Sequence, residues 1–213
     1  MHLREQIVSG ALKKGDFLRT DAIAKSLGVS TTPVREGLLL LQSESFVRLI
    51  PRRGFMVNSF SKHDLFDLFW VQGTISGELA ARATRKMPKS EVDRLRDIHS
   101  NYEAAFAAGD PSVARFGHDF HRTINLGAES HRLAMLLGSL TKQLPNRFYA
   151  SFEGSIKDAL DFHGVILEAI CARDTEEARS RMQRHIVGVG EHLIAMLGRQ
   201  GMWGAESEKM SPR

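Results

Sequence analysis

The chain has 213 residues, 42% of them hydrophobic, with a single cysteine and a formal net charge of +4. One cysteine excludes a disulfide within the chain, and no apolar run reaches the roughly 18 residues that a membrane-spanning helix needs. The N-terminal MHLREQIVSG lacks the apolar middle of a signal peptide, so we expect a cytoplasmic protein without a membrane partner.

The positive charge is confined to the start of the chain. Residues 1–58 contain nine Lys and Arg against five Asp and Glu, whereas the rest of the chain contains 20 of each kind. A polyanion such as DNA is therefore expected to bind the first segment and not the remainder. Ordinary variation of surface charge is the alternative explanation for so small an excess.

The first segment has the pattern of a helix-turn-helix. A short helix over 21–27 stops at Gly28, because glycine readily adopts the positive φ found beyond a helix C-terminus. A second helix follows, with Ser30 and Thr31 as candidate caps and Pro33 in its first turn, where the missing N–H of proline is tolerated.

A β-hairpin is predicted after the second helix. Short apolar strands at 46–50 and 55–57 flank the turn Pro51-Arg52-Arg53-Gly54, in which glycine gives the backbone its freedom. Two strands joined by a basic turn form the wing of a winged helix-turn-helix, with Arg52 and Arg53 at its tip.

The candidate DNA contacts lie in the second helix and in the wing. Arg35 is the first choice for reading a base, because a guanidinium spans O6 and N7 of guanine. Arg52 and Arg53 are expected at phosphate or a minor-groove edge, and the hydroxyls at the helix start are expected at phosphate. A salt bridge within the domain is the alternative role for Arg35. The candidate set is Ser30, Thr31, Thr32, Arg35, Arg52, Arg53 and Gly54.

The rest of the chain has only helical periodicity. Ser61 and Asp64 are spaced for a capping box, and apolar residues then recur at three- and four-residue steps. We expect a mostly α fold, in which a winged domain over 1–58 precedes an antiparallel all-α bundle over 59–200 and a disordered tail over 201–213. The six bundle helices are predicted at 62–86, 89–108, 111–126, 130–150, 155–172 and 175–198.

Three histidines of the bundle are the candidates for chemistry. His121, His163 and His185 lie on three different predicted helices, each beside apolar residues on its own helix face. Imidazoles on the inward faces of a bundle can converge on one metal ion. The alternative is that each is a core histidine bonded to a backbone carbonyl or a water, and spacing alone favours that alternative.

Three motifs of the first segment are specific: LGVS at 27–30, TPVRE at 32–36 and PRRGFMV at 51–57. In these motifs residues 1–58 resemble the winged helix-turn-helix of the GntR family of bacterial transcription regulators. The resemblance implies a homodimer that binds double-stranded operator DNA. Many family members carry arginine directly after the VS pair, where this chain has Thr31, so a contact that relatives make there is lost or changed.

The helical remainder contains the motif HGVILEAI at 163–170, with His121 before it and His185 on the last helix after it. It is similar in this to the FCD effector domain of the FadR-like branch of the family, which implies a divalent metal, zinc or nickel. The ligands implied are His121, His163 and His185. The family's aspartate ligand falls on Gly117, which has no side chain. His118, three residues before His121, is better placed than Asp119 to replace that ligand.

A second departure concerns the effector. Relatives carry a VRxxLE pattern in the first bundle helix, and its arginine helps to hold acidic ligands beside the metal. This chain reads VQGTIS at 71–76, and Gln72 donates hydrogen bonds but supplies no charge. The resemblance implies an effector pocket lined by Gln72, His121, His163 and His185.

These features together predict a sequence-specific transcription regulator, not an enzyme, whose operator affinity responds to a small metabolite such as an organic acid. A ligand-independent architectural DNA-binding protein is one alternative, and a metalloenzyme with a DNA-targeting module is another. The apolar residues Phe66, Phe69 and Trp70 are expected to lie in the core for the most part and otherwise to form part of a dimer surface.

Overall fold

The structure, a computed structural model, describes residues 2–8, 10–58, 61–144 and 157–199. Over these ranges the chain forms nine helices and three strands, so the predicted mostly α fold with a small β-wing is confirmed. The described residues divide into two compact units: those up to Asp64 together with 143–144 and 197–199 form the first, and the others form the second. The tail predicted over 201–213 lies outside the described residues.

The first unit contains the predicted helix-turn-helix. Helix α2 ends at Gly28, whose φ of 66° is left-handed, and helix α3 starts directly after Ser30 with Pro33 in its first turn. The sequence does not predict α1 or β1, because segments of seven and two residues are too short to establish a hydrophobic period. The elements are α1 His2–Val8, β1 Phe17–Leu18, α2 Thr20–Leu27, α3 Thr31–Ser43, β2 Val47–Ile50 and β3 Gly54–Val57.

The three strands form an antiparallel sheet in the order β1-β3-β2. Strands β2 and β3 pair from Val47 opposite Val57 to Ile50 opposite Gly54, which leaves a three-residue loop at the tip. Strand β1 pairs with the other edge of β3. The wing is therefore three-stranded, whereas the sequence predicts two strands.

The core of the first unit takes apolar residues from each of its elements. Because α2 and α3 turn their apolar faces inward, the polar first turn of α3 remains on the surface. The core residues are all 7% exposed or less: Ile7, Val8, Leu18, Ala24, Val34, Leu38, Leu41, Phe46, Val47, Phe55 and Val57.

Six helices follow among the residues described after Asn58, in agreement with the predicted helical bundle. Helix α6 begins two residues later than expected, because Asp110 accepts a hydrogen bond from the N–H of Ser112 at 2.7 Å and forms a turn there. Helix α7 ends at Thr141, so the helix predicted over 130–150 does not continue through 142–144, and its last part, 145–150, lies outside the described residues. The six are α4 Lys62–Lys86, α5 Lys89–Ala108, α6 Val113–Gly127, α7 His131–Thr141, α8 Lys157–Cys171 and α9 Thr175–Arg199.

The start of α4 has the predicted capping box. The N–H of Ser61 donates to Oδ2 of Asp64 at 2.8 Å, and the N–H of Asp64 donates to Oγ of Ser61 at 3.1 Å. Two otherwise unsatisfied donors at the helix start thus gain acceptors, which defines where the first bundle helix begins.

Two glycines let α4 and α9 approach closely. A Cβ on Gly77 would lie 2.8 Å from the carbonyl oxygen of Arg179, and a Cβ on Gly73 would lie 3.0 Å from that of Gln183. Around this contact the bundle core combines residues from most of its helices. Fully buried members are Leu79, Leu95, Phe120, Ile124, Ile166 and Met182.

Within the described ranges, every helix falls short of the combined length and hydrophobicity that crossing a bilayer demands.

Candidate functional site

Three histidines from three helices converge in the bundle. His121 of α6, His163 of α8 and His185 of α9 offer ring nitrogens that all lie within 4.8 Å of one another. Nε2 of His121 is 3.2 Å from Nε2 of His163 and 3.2 Å from Nε2 of His185. His163 and His185 are fully buried, whereas His121 is partly exposed. We call these three residues the histidine triad.

Aromatic side chains surround the triad on its buried side. The ring of His163 stacks on Phe120 with centroids 4.5 Å apart and lies 4.8 Å from the ring of Tyr102. Tyr102 and Phe120 are themselves fully buried. Packing of this kind limits the rotamers of His163 and holds its Nε2 toward the other two imidazoles.

The protonation state of the triad suits metal binding. Burial lowers the pKa of His163 and of His185 well below the ordinary 6.5, and the neighbouring imidazole of His121 lowers both further. Both rings are therefore neutral at physiological pH. A neutral imidazole has the in-plane lone pair that a metal ion requires.

The distances within the triad fit a shared cation better than hydrogen bonds alone. A neutral imidazole nitrogen either donates one hydrogen bond or accepts one in its plane, so Nε2 of His121 cannot satisfy both 3.2 Å contacts at once. Two histidine ligands of a tetrahedral zinc ion have nitrogens about 3.3 Å apart. The three residues thus fit a divalent metal of the kind that the resemblance implies.

A glycine stands at the position where the family has its aspartate ligand. Gly117 is buried in α6, one turn before His121, and contributes no ligand atom. His118 is exposed, and among the described residues it is not part of the group that can hold an ion. The protein ligands brought together are therefore three imidazoles, which leaves further coordination positions for water or a bound effector.

A cavity of about 580 Å³ opens beside the triad. Gln72 of α4, His121 and His185 line it, but His163 does not. Gln72 is 2% exposed, so its amide is a buried polar group facing a largely apolar space. The volume is in the range of small-molecule sites.

The cavity has a polar side, of which the sequence singled out His118 alone and only as a substitute metal ligand. Arg115, His118, Arg122 and Asn125 line it from α6, and Thr141 lines it from α7. None of the described residues that line the cavity carries a carboxylate. The spacing of the four α6 residues, three or four apart, is the sequence signal that marks one face of that helix.

The predicted DNA contacts are on the surface of the first unit. Ser30, Thr31, Thr32 and Arg35 are exposed at the start of α3, and no side-chain hydrogen bond caps that helix. Arg35 makes no salt bridge with any part of the chain that the structure describes, which disfavours the intradomain alternative. A helix start with free N–H groups and hydroxyls is a site for anions.

The two wing arginines differ in their surroundings. Arg52 has a φ of 62°, a left-handed conformation that costs a non-glycine residue about 1–2 kcal/mol. Arg53 donates its backbone N–H to the carbonyl of Ile50 at 3.0 Å, and its guanidinium carbon lies 4.5 Å from the ring centre of Phe17. Gly54 closes the loop with a φ of 94°.

Two family models together match most of the chain. The model described as "Bacterial regulatory proteins, gntR family" matches residues 1–57, and the model of the FCD domain matches residues 67–188. The HTH-type transcriptional repressor GlaR of Escherichia coli K12 is 27% identical over 198 residues, which cover 87% of this chain and 89% of GlaR. The uncharacterized regulator YdhC of Bacillus subtilis is 23% identical over 199 residues, which cover 92% of this chain and 89% of YdhC.

Solved structures have the same fold. E. coli McbR/YncC has a TM-score of 0.61 and 23% identity, and the match covers 94% of this chain and 95% of that one. The Listeria monocytogenes regulator Lar has a TM-score of 0.60 at 17% identity, and the match covers 93% of this chain and 94% of Lar. At these identities the likeness establishes the architecture alone.

Proposed function

The chain belongs to the GntR family of bacterial regulators and carries an FCD domain, and from this membership we propose that it is a DNA-binding transcription regulator controlled by a small metabolite. Its named relatives are transcription regulators and not enzymes. We assign DNA binding to residues 1–58, effector binding and dimerisation to residues 59–200, and a cytoplasmic location to the protein.

The observation that carries the DNA-binding assignment is the exposed first turn of α3 near a basic wing within one unit. Arg35 reads a base in the major groove, and the hydroxyls of Ser30, Thr31 and Thr32 bind phosphate. Arg52 and Arg53 bind phosphate or a minor-groove edge. The strained φ of Arg52 supports a role for its side chain, because glycine would adopt the same backbone at lower cost.

The histidine triad is the proposed metal site. His121, His163 and His185 would hold zinc or nickel through Nε2, since borderline metals favour imidazole ligands. When bound, the ion supplies a Lewis-acidic centre for an oxygen of the effector. The aromatic packing behind His163 fixes the ring, and Gln72, which lines the same cavity, would donate a hydrogen bond to the effector.

Metal analysis tests this site directly. Protein purified without chelator is expected to contain about one divalent ion per chain, and His163→Gln is expected to lose most of it. His131→Gln, which alters an exposed histidine of α7, is the matched control. Equal metal content in all three proteins would remove the metal from the proposal.

The effector is proposed to be an organic acid. Arg115 and Arg122 line the cavity and none of its described lining residues carries a carboxylate, so its potential favours an anion. Arg115 lies 4.0 Å from Asp119 and over the ring of Phe116, which partly neutralises and occupies it. Arg122 has no ion pair within the described ranges and is the stronger candidate.

Control of DNA binding follows from linkage. Two wings related by a twofold axis read a palindrome, and an effector that prefers one arrangement of the dimer changes the spacing between the two recognition helices. Operator affinity then shifts by the difference in effector binding, commonly about 1–3 kcal/mol or roughly 5- to 150-fold.

The deciding experiment has two stages. Duplexes that the protein binds are first selected from random DNA, and a footprint on one short palindrome is the expected outcome. Metabolites are then screened for an effect on that complex. Weak sequence preference with a steep dependence on salt would instead support the architectural alternative.

A metalloenzyme is the second alternative. Hydrolytic metal sites use a general base within hydrogen-bond reach of the reacting water, and in the described cavity lining no Asp or Glu is available for that role. Turnover of a metabolite by the purified protein would favour this alternative.

A further inference from the structure

We propose that Phe17 is a positioning residue for DNA binding, because its ring holds the guanidinium of Arg53 in place on the wing before DNA arrives. The proposal rests on the DNA-binding function proposed above. It concerns a residue outside the helix-turn-helix and outside the wing hairpin.

Strand β1 presents Phe17 outward. In this two-residue strand Leu18 is 4% exposed and belongs to the core, whereas Phe17 is 39% exposed. Alternation along a strand sends the two side chains to opposite faces of the sheet, so Phe17 lies on the face away from the core. Its backbone is held by pairing with β3 opposite Met56.

The guanidinium of Arg53 packs on that ring. Its central carbon is 4.5 Å from the ring centre of Phe17, inside the roughly 6 Å within which a cation and an aromatic face attract each other. The backbone N–H of Arg53 is also held by the carbonyl of Ile50 at 3.0 Å. The main chain and the guanidinium of Arg53 are therefore both held by contacts within the wing.

Stacking leaves the N–H donors of the Arg53 guanidinium available for DNA. An arginine that packs one face on an aromatic ring keeps its N–H donors in the plane of the group, where phosphate and base-edge oxygens bind. Since the rotamers of Arg53 are already restricted, less conformational freedom is lost when DNA binds. We expect this to be worth about three- to tenfold in affinity.

Arg52 provides an internal comparison. It is also exposed in the same loop, but it has no ring contact among the described residues and its position depends on its left-handed backbone. Arg52 should therefore contribute to DNA binding independently of Phe17.

The first test compares two substitutions of the aromatic residue on a selected duplex. Phe17→Leu keeps an apolar side chain without a ring, and it is expected to weaken binding about three- to tenfold. Phe17→Tyr keeps the ring and is expected to bind as the wild type does. Thermal unfolding shows whether either variant is folded. A folded Phe17→Leu with wild-type affinity would overturn the proposal.

A double-mutant cycle separates positioning from a general effect on the wing. In an Arg53→Ala background Phe17→Leu is expected to have no further effect, whereas in an Arg52→Ala background it should keep its full effect. If Phe17→Leu weakened both backgrounds equally, the residue would act through the sheet and not through Arg53, and the proposal would be wrong.

The contact itself is measurable without DNA. The ring current of Phe17 should shift the Arg53 δ protons upfield in the NMR spectrum of the wild type, and Phe17→Leu should abolish that shift. No upfield shift in the wild type would refute the stacking. A wild type that binds no duplex at all refutes the proposed function instead, so the two failures are distinguishable.

Discussion

Two buried imidazoles make the bundle sensitive to acid at the scale of single residues. His163 and His185 are fully buried, and their pKa values are well below 6.5 in the folded state. In the unfolded chain both titrate near 6.5, so the unfolded state binds more protons below that pH. Stability is fully present above pH 6.5 and falls as the pH drops toward the folded-state pKa values.

The expected loss is up to about 1.4 kcal/mol per pH unit for each histidine below pH 6.5 in metal-free protein. Chemical unfolding followed by circular dichroism between pH 7.5 and 5.0 measures it. Replacing His185 by Gln should reduce the slope by about half. A stability that stays level between pH 6.5 and 5.0 would mean that His163 and His185 take up protons in the folded protein as readily as in the unfolded chain.

The three histidines and the two arginines of the cavity show which properties of single residues the sequence left undecided. The spacing of the three histidines left open whether they were ordinary core residues, and their meeting at Nε2 was not visible in any one helix. Arg115 and Arg122 escaped notice because a charged residue on a helix is usually solvated. Only the cavity beside them shows that their face of α6 lines a candidate binding site.

At the scale of elements, the packing of α4 on α9 depends on small residues. Gly77 would place a Cβ 2.8 Å from the carbonyl oxygen of Arg179, and backbone cannot move aside as a flexible side chain can. The triad takes His185 from α9, and the cavity takes Gln72 from α4, so this contact also sets the width of the cavity.

Two glycine substitutions on this helix pair should have opposite effects. Gly77→Ala is expected to destabilise by about 1–3 kcal/mol, because overpacking outweighs the gain in helix propensity. Gly188→Ala meets nothing within 4 Å and should stabilise by up to about 1 kcal/mol. Denaturant midpoints measure both changes. Stabilisation by both substitutions would show that the helices are further apart than described.

The ion pairs between α4 and α9 contribute less to the free energy of unfolding than the packing of the two helices does. Glu78 of α4 accepts hydrogen bonds from Arg82 and from Arg179 of α9, and both arginines lower the pKa of its carboxyl. All three side chains are about a third exposed, so solvent screens the network. Its contribution is therefore to orientation of α9 more than to stability.

For the whole molecule, the separation of charge from cavity leads to a prediction about regulation. The positive excess lies in residues 1–58, whereas the candidate effector cavity lies wholly in the second unit. A substitution in the cavity should therefore change the response to an effector without changing the affinity for DNA in its absence.

Arg122→Gln tests this separation. We expect it to weaken the effect of an acidic metabolite on operator binding at least about tenfold while basal operator affinity stays as in the wild type. Titration of operator complexes with the metabolite found by screening measures both quantities. The control is Arg94→Gln, an exposed arginine of α5 outside the cavity lining. An equal loss of response in the control would argue against a role for Arg122.

The sequence by itself determined the elements whose signals are local. Gly28 and Pro33 marked the turn between α2 and α3, Ser61 and Asp64 marked the start of α4, and helical periodicity marked the bundle. These features depend on backbone preferences and on neighbours a few residues apart, which a linear pattern records. The short motifs LGVS, TPVRE and PRRGFMV are also local, and they indicated the family to which the chain belongs.

Tertiary structure alone decided what depends on residues far apart in the chain. The pairing of β1 with the wing and the contact of Arg53 with Phe17 each join distant positions. The meeting of His121 with His163 and His185 was implied by the family resemblance, but its distances come from the fold alone. No periodicity encodes such distances, because they follow from how whole elements pack. A two-residue strand such as β1 acquires its meaning only from the neighbours that the fold brings to it.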